Sequence, residues 1–240
     1  MNIFEDFFHI QQKTLKRTFK NPRYIIIVSA IIIAGVIATN ILSNILLGLF
    51  QGIGYLSGTL VYLLRIFIIG FLMSILYRAV KDSQSINLYQ NQYFGQIGFK
   101  LLQIGGFIIY ILNFFLRPIT GRYYEFLYLL ALVIFNPLPE TIYLEDYDGL
   151  NSFIHSGKFI KENIINWGIP NILISLIFYF ATRNRSLLEA LNLKDIKSIA
   201  ISLLIVLGVG IYMIYRGMLF DELNNSSRRK REFMRNFRDE

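Results

Sequence analysis

From Tyr24 to Leu64 the chain carries no Asp, Glu, Lys or Arg. That is about 40 residues, roughly twice what one helix needs to cross a bilayer. Lys13, Lys16, Arg17, Lys20 and Arg23 stand directly ahead of it. The pattern predicts a basic anchor followed by a membrane hairpin, with a first span over 24–46 and a second over 55–77. Gly48 to Gly54 make an uncharged turn between them, and Arg78 and Lys81 close the second span. Further apolar blocks predict spans over 99–116, 123–144, 164–182 and 198–215. Asn136-Pro137 and Pro139 interrupt the fourth block, which is tolerated where neighbouring helices cover the freed carbonyl. A re-entrant hairpin is the competing reading for the third and fourth blocks.

The polar stretches between these blocks have a pattern of their own. In 1–20, Phe4, Phe8, Leu15 and Phe19 fall on one helical face with basic residues between them, as in a helix that lies in the headgroup layer. Asn21-Pro22 ends it. Ile86, Tyr89, Tyr93 and Ile97 give 82–98 a similar stripe, and Leu150, Phe153, Ile154, Ile160 and Ile164 do so for 145–163. Each such segment precedes a pair of spans, so the unit "interfacial helix, span, span" is expected three times. Parallel repeats of this kind put a working site at the repeat interface; a hairpin-built protein without repeat ancestry has the same order. In the first span Ala30, Ala34 and Ala38 offer one small residue per turn for a close helix neighbour. The expected fold class is thus all-α: a polytopic integral membrane protein of six transmembrane helices with three cytoplasmic interfacial amphipathic helices. Residues 1–220 form the membrane domain and 221–240 a basic tail.

Composition agrees. Apolar residues make up 54% of the 240 and charged residues only 17%, too few for the polar shell of a soluble protein. The first apolar run is too long for a signal peptide and has no small-residue cleavage site, so it reads as a true span. Cysteine is absent and only His9 and His155 are present, which removes disulfides and disfavours a histidine-rich metal site. The net charge of +8 fits anionic lipid better than nucleic acid. With both termini inside, most of the Lys and Arg fall on the cytoplasmic side, as the positive-inside rule requires. The least fitting outer loop holds Arg183, Arg185, Lys194 and Lys197. A chain rich in Ile, Phe, Tyr, Asn and Lys points to a bacterial plasma membrane.

Within this frame, few residues promise chemistry. Arg65 falls near the middle of the second span, where a guanidinium is costly and calls for a partner. Glu140 is the first candidate, with Asn136 and Asn113 as hydrogen-bonding neighbours. The functional reading is an intramembrane anion or headgroup site; the structural one is a register-fixing pair or a snorkelling arginine. Glu140, Glu145, Asp146 and Asp148 lie close enough in sequence to suggest a divalent cation, but helix capping explains them more simply. His155 reads as a polar-face residue. Trp167 reads as an interface anchor. Arg228, Arg229, Lys230, Arg231 and Arg235 in the tail are candidate contacts for anionic lipid. No cofactor, nucleotide or catalytic signature stands out.

The run Asn136-Pro137-Leu138-Pro139-Glu140, then Ile142-Tyr143-Leu144-Glu145, then Ser156-Gly157-Lys158-Phe159-Ile160-Lys161-Glu162-Asn163, ending Trp167-Gly168-Ile169-Pro170-Asn171, resembles the YciC-like bacterial membrane proteins. Those are related to the membrane domain that accompanies some glycerophosphoryl diester phosphodiesterases. The resemblance implies six spans and an amphipathic inner segment before the fifth; it implies no catalytic residue. Three functional classes stay open. The first is a non-enzymatic permease-like or accessory subunit handling lipid or another amphiphile, with membrane lipids, a second copy or another membrane subunit as partners. The second is a secondary transporter or channel for a small solute or ion. The third is an intramembrane enzyme using the acids from Glu140 to Asp148.

Overall fold

The computed structural model describes residues 3–49, 54–81, 97, 100, 104, 121, 131, 133–145, 147, 149–182 and 196–224. Among them the secondary structure is helical. Helix α1 (Ile3–Lys20) is followed by α2 (Pro22–Leu49), α3 (Gly54–Lys81), the short α4 (Leu138–Leu144), α5 (Gly149–Asn163), a π-helical turn at Ile164–Gly168, α6 (Ile169–Thr182) and α7 (Ile196–Asn224). Three stretches, Pro22–Leu46, Gly58–Lys81 and Ile199–Asn224, are long and apolar enough to cross a membrane. At a rise of 1.5 Å per residue each of these helices exceeds the ~30 Å hydrocarbon core, so each has turns to spare for tilt or for the headgroup layer.

Asn21 alone separates α1 from α2. Pro22 is suited to the first helical position, where its missing N–H is no loss. The amide of Tyr24 donates to the Asn21 carbonyl at 3.2 Å and so starts the new helix. The first and second expected spans agree with α2 and α3. The helix that holds the sixth, α7, runs on to Asn224 and so passes the expected boundary of the tail at 220/221. The fourth expected span is broken. Phe135–Pro137 form a turn before α4, because neither Pro137 nor Pro139 can donate to a helical ladder and Pro137 disfavours helical geometry at Asn136. The fifth region divides at Gly168 into the π turn and the 14-residue α6, which is too short by itself to cross. The expected third span and the segment 82–96 lie outside the described residues, apart from single positions.

The chain divides into two units. One holds residues 1–29, 79–83 and 159–240. In it, α1 packs chiefly on α7 and secondarily on the π turn, and α7 also meets α6. The N-terminal end of α2 approaches α7 closely: a Cβ at Gly210 would collide with Ser29 Oγ and come within 3.4 Å of the Ile25 carbonyl oxygen.

The other unit holds residues 30–78 and 84–158. Here a Cβ at Gly35 of α2 would lie 2.7 Å from Ile68 Cγ2 of α3. Gly35 lies as far before the end of α2 as Ile68 lies after the start of α3, which is the register of an antiparallel hairpin. The expected alanine stripe is not the close face, because Ala30 and Ala34 are exposed. Small residues permit close approach only on the side that meets the neighbour, and Ile32, Gly35 and Thr39 are buried there instead. Thr39 returns its hydroxyl to the Gly35 carbonyl at 2.7 Å, so the span carries no unpaired hydroxyl at that point. A small core of Ile104, Leu138 and Ile142, with Phe135 and Phe153 against it, anchors α4 to α5, helped by the Ser156 hydroxyl on the Ile134 carbonyl at 3.3 Å.

Candidate functional site

Helix α1 has three faces. Phe4, Phe8, Leu15 and Phe19 fall within one narrow stripe at 100° per residue, and all four are exposed, Phe4 to 70% and Phe8 to 67%. Glu5, His9, Gln12, Lys16 and Lys20 form an adjoining polar exposed face. The remaining side is the protein contact, with Asp6, Ile10, Thr14 and Thr18 buried. The stripe expected to be apolar is therefore the one the protein leaves uncovered, and a mostly polar side is the one it covers.

What α1 meets there is a polar seam. Pro170 has no N–H, so in a regular ladder the carbonyl of Asn166 would lack its donor. The Gln11 side chain fills the gap, its Nε2 donating to that carbonyl at 2.9 Å. Asn166 Nδ2 donates in turn to the buried carboxylate of Asp6 at 3.2 Å, and the Tyr215 hydroxyl donates to Gln11 Oε1. One turn further, Asn171 Nδ2 donates to the Trp167 carbonyl at 2.6 Å and Asn171 Oδ1 accepts from the Tyr212 hydroxyl at 2.8 Å. A π turn loosens the ladder by one residue. Here the freed carbonyls are taken by side chains from α1 and α6, as burial demands.

Trp167, in the π turn, is fully buried. Phe159 and Phe220 meet its ring edge-on, with centroids 5.3 and 6.1 Å away. The Arg216 guanidinium lies 5.2 Å from its ring centre and 5.6 Å from that of Tyr212, within the range of a cation–π contact. The reading of Trp167 as an interface anchor is thus corrected: its indole packs inside the protein.

Beyond the seam lies an ionic clasp. Asp221 and Glu222 sit in the last turn of α7, where the helix dipole disfavours acids. Cations from two other helices offset this. Lys13 Nζ is 2.7 Å from Glu222. Arg17 reaches Asp221 at 3.0 Å and Glu222 at 3.4 Å. Lys81, the last residue of α3, reaches Asp221 at 2.9 Å. The clasp thus brings the C-terminal ends of α3 and α7 to one point on α1.

The expected site residues are not gathered in this way. Arg65 is exposed among the exposed side chains of Leu63, Phe67 and Ile69. Arg65 shares its helical face with Ile68, Leu72, Ile75 and Ala79, of which the last three are buried, so it is exposed by its place earlier along α3 and not by the side it faces. Glu140 is buried in α4, and Asn136 is half-buried in the turn before it. Arg65 and Glu140 form no ion pair with one another; the clasp is made by other residues. Asn113 and the tail residues Arg228, Arg229, Lys230, Arg231 and Arg235 lie outside the described residues, as do Asp146 and Asp148. His155 packs its ring against Tyr147 at 4.6 Å. Among the described residues no three His, Asp or Glu side chains converge as a metal site would need.

Sequence reasoning passed over the seam and the clasp because Asp221 and Glu222 fell in the expected tail. Two signals were present: Lys13 and Arg17 share a face at i, i+4, and Pro170 leaves a carbonyl in need of a donor.

The described residues define a helical membrane protein with an N-terminal amphipathic helix bonded to its last long apolar helix. No family model, curated protein or solved structure matches the chain.

Proposed function

We propose that this is a non-enzymatic, multi-pass protein of a bacterial plasma membrane, a permease-like or accessory subunit that handles lipid or another amphiphile, with both termini cytoplasmic. One observation carries the reading: the clasp of Lys13, Arg17 and Lys81 on Asp221 and Glu222. It commits the charged groups of three helices to holding one another, which is what a structural membrane subunit asks of them, and it favours placing α1 and the end of α7 at one membrane face. The excess of Lys and Arg ahead of α2 and in 225–240 makes that face cytoplasmic. Six spans, as in the YciC-like proteins that the 136–171 run resembles, complete the proposal.

The test is native mass spectrometry of the protein released from nanodiscs, on wild type and Arg65→Ala. A phospholipid that stays bound to the wild type supports lipid handling. Its loss in the variant makes the exposed Arg65 part of the lipid contact; retention assigns the lipid to the rest of the chain. Delipidated spectra from both proteins, each well folded, would sink lipid handling and leave the transporter class ahead.

A further inference from the structure

We infer that the exposed stripe of α1 is a docking surface for the anionic leaflet of the membrane that α2 enters. The inference deepens the proposal above and rests only on its membrane placement. An apolar stripe of four large side chains, uncovered by the protein, calls for an apolar occupant. Three features identify it as lipid. A single residue, Asn21, joins α1 to a helix long and apolar enough to span, so the C-terminal end of the stripe, Leu15 and Phe19, lies within two turns of the start of that helix. The opposite side of α1 is already bonded to the protein through Asp6, Lys13 and Arg17, so the helix cannot roll to hide its aromatic rings. And Lys16, Lys20 and Arg23 are exposed beside the elbow, a surplus of positive charge after the clasp has used Lys13 and Arg17. Large apolar side chains flanked by cations are what an interfacial helix brings to negatively charged headgroups.

The chain has no cysteine, so single labelling sites can be introduced without removing any. Nitroxides would be placed at Phe8→Cys and Leu15→Cys on the stripe and at His9→Cys and Gln12→Cys on the polar face. The full-length protein would then be studied in nanodiscs of phosphatidylcholine, with and without phosphatidylglycerol. Electron paramagnetic resonance gives the accessibility of each label to oxygen, which concentrates in lipid, and to a nickel chelate, which stays in water. The stripe labels should favour oxygen and the polar-face labels nickel, by several-fold in each direction. Phosphatidylglycerol should drive the stripe labels deeper, and the combined Lys16→Gln, Lys20→Gln, Arg23→Gln variant should lose that response.

Stripe labels as open to nickel as position 9 would overturn the inference. So would stripe labels shielded from both reagents: spin–spin broadening between copies would then assign the surface to a second copy of the chain, and its absence to another protein. Equal depth with and without phosphatidylglycerol would overturn the anionic part. None of these outcomes depends on whether a lipid survives native mass spectrometry.

Discussion

Two helix pairs in this protein are held together in opposite ways. In the hairpin of α2 and α3 the contact is apolar and close, with Gly35 admitting the Ile68 methyl group. Between α1 and α7 it is polar: Gln11 with Tyr215, then Lys13 and Arg17 with Glu222 and Asp221. On the proposed membrane placement, the difference follows from the solvent each pair meets. Inside a bilayer, lipid tails are as apolar as the helices, so only close packing and internal hydrogen bonds favour association. At the membrane face where the proposal puts α1, charged side chains keep access to water, so ion pairs and hydrogen bonds can join helices there without burying an unpaired charge. Ser29 beside Gly210 shows the first mode used within the same unit as the seam, so both modes act on one long helix, at its middle and toward its C-terminal end.

This contrast can be broken at graded points. The largest effect is expected at Trp167→Ala, which removes the buried ring from between Phe159, Phe220 and Arg216 and should cost about 3–5 kcal/mol, read as a fall in the thermal midpoint in mild detergent. Trp167 is the only tryptophan, so its native emission offers a companion check. It should be blue and poorly quenched by brominated lipid; strong quenching would return it to the lipid interface.

Gln11→Ala comes next. It leaves the Asn166 carbonyl without the donor that Pro170 cannot supply, at a cost of about 1–3 kcal/mol. Gln11→Glu, which keeps the acceptor for Tyr215 but loses the amide donor, should be about as damaging; a harmless Gln11→Glu would mean that the carbonyl is not the point of the contact.

The two glycines should separate. Gly210→Ala meets Ser29 and backbone, whereas Gly35→Ala meets only a methyl at the end of a side chain. Overpacking of this kind costs about 1–3 kcal/mol, and Gly210→Ala should fall nearer the top of that range. Combining Gly35→Ala with Ile68→Val should recover part of its loss, and failure of that rescue would argue against direct contact. The smallest effect belongs to Asp221→Asn with Glu222→Gln. Exposed pairs contribute about 0–1 kcal/mol each, so the change should be modest at low salt and nearly vanish at high salt. A salt-independent loss would show the clasp to be more deeply shielded than its partly exposed cations suggest.

How much of this was legible beforehand varies by element. The α1 stripe, the break at Asn21-Pro22 and the cores of α2 and α3 could be read directly, because each depends on local periodicity, on proline's missing donor or on unbroken apolarity. The end of α7 could not: Asp221 and Glu222 look like tail unless the cations that pair with them are known to be near. Trp167 was misread for the same reason. A lone tryptophan at the head of an apolar run has the pattern of an anchor, and only the rings of Phe159 and Phe220 and the guanidinium of Arg216 make it a core residue. Arg65 drew notice through its cost in lipid, yet its exposure on the face that further along α3 buries Leu72 and Ala79 depends on how far the neighbouring chain covers that face.

The sequence by itself determined that the protein is helical, that it belongs to a membrane and that its first helix is amphipathic. Hydrophobic blocks, periodicity and proline act over a few turns of chain. The tertiary structure decided which side of each helix is covered. That choice is made by partners more than a hundred residues apart, Gln11 with Asn166 and Lys13 with Glu222, and by glycines whose importance appears only when a second helix lies against them.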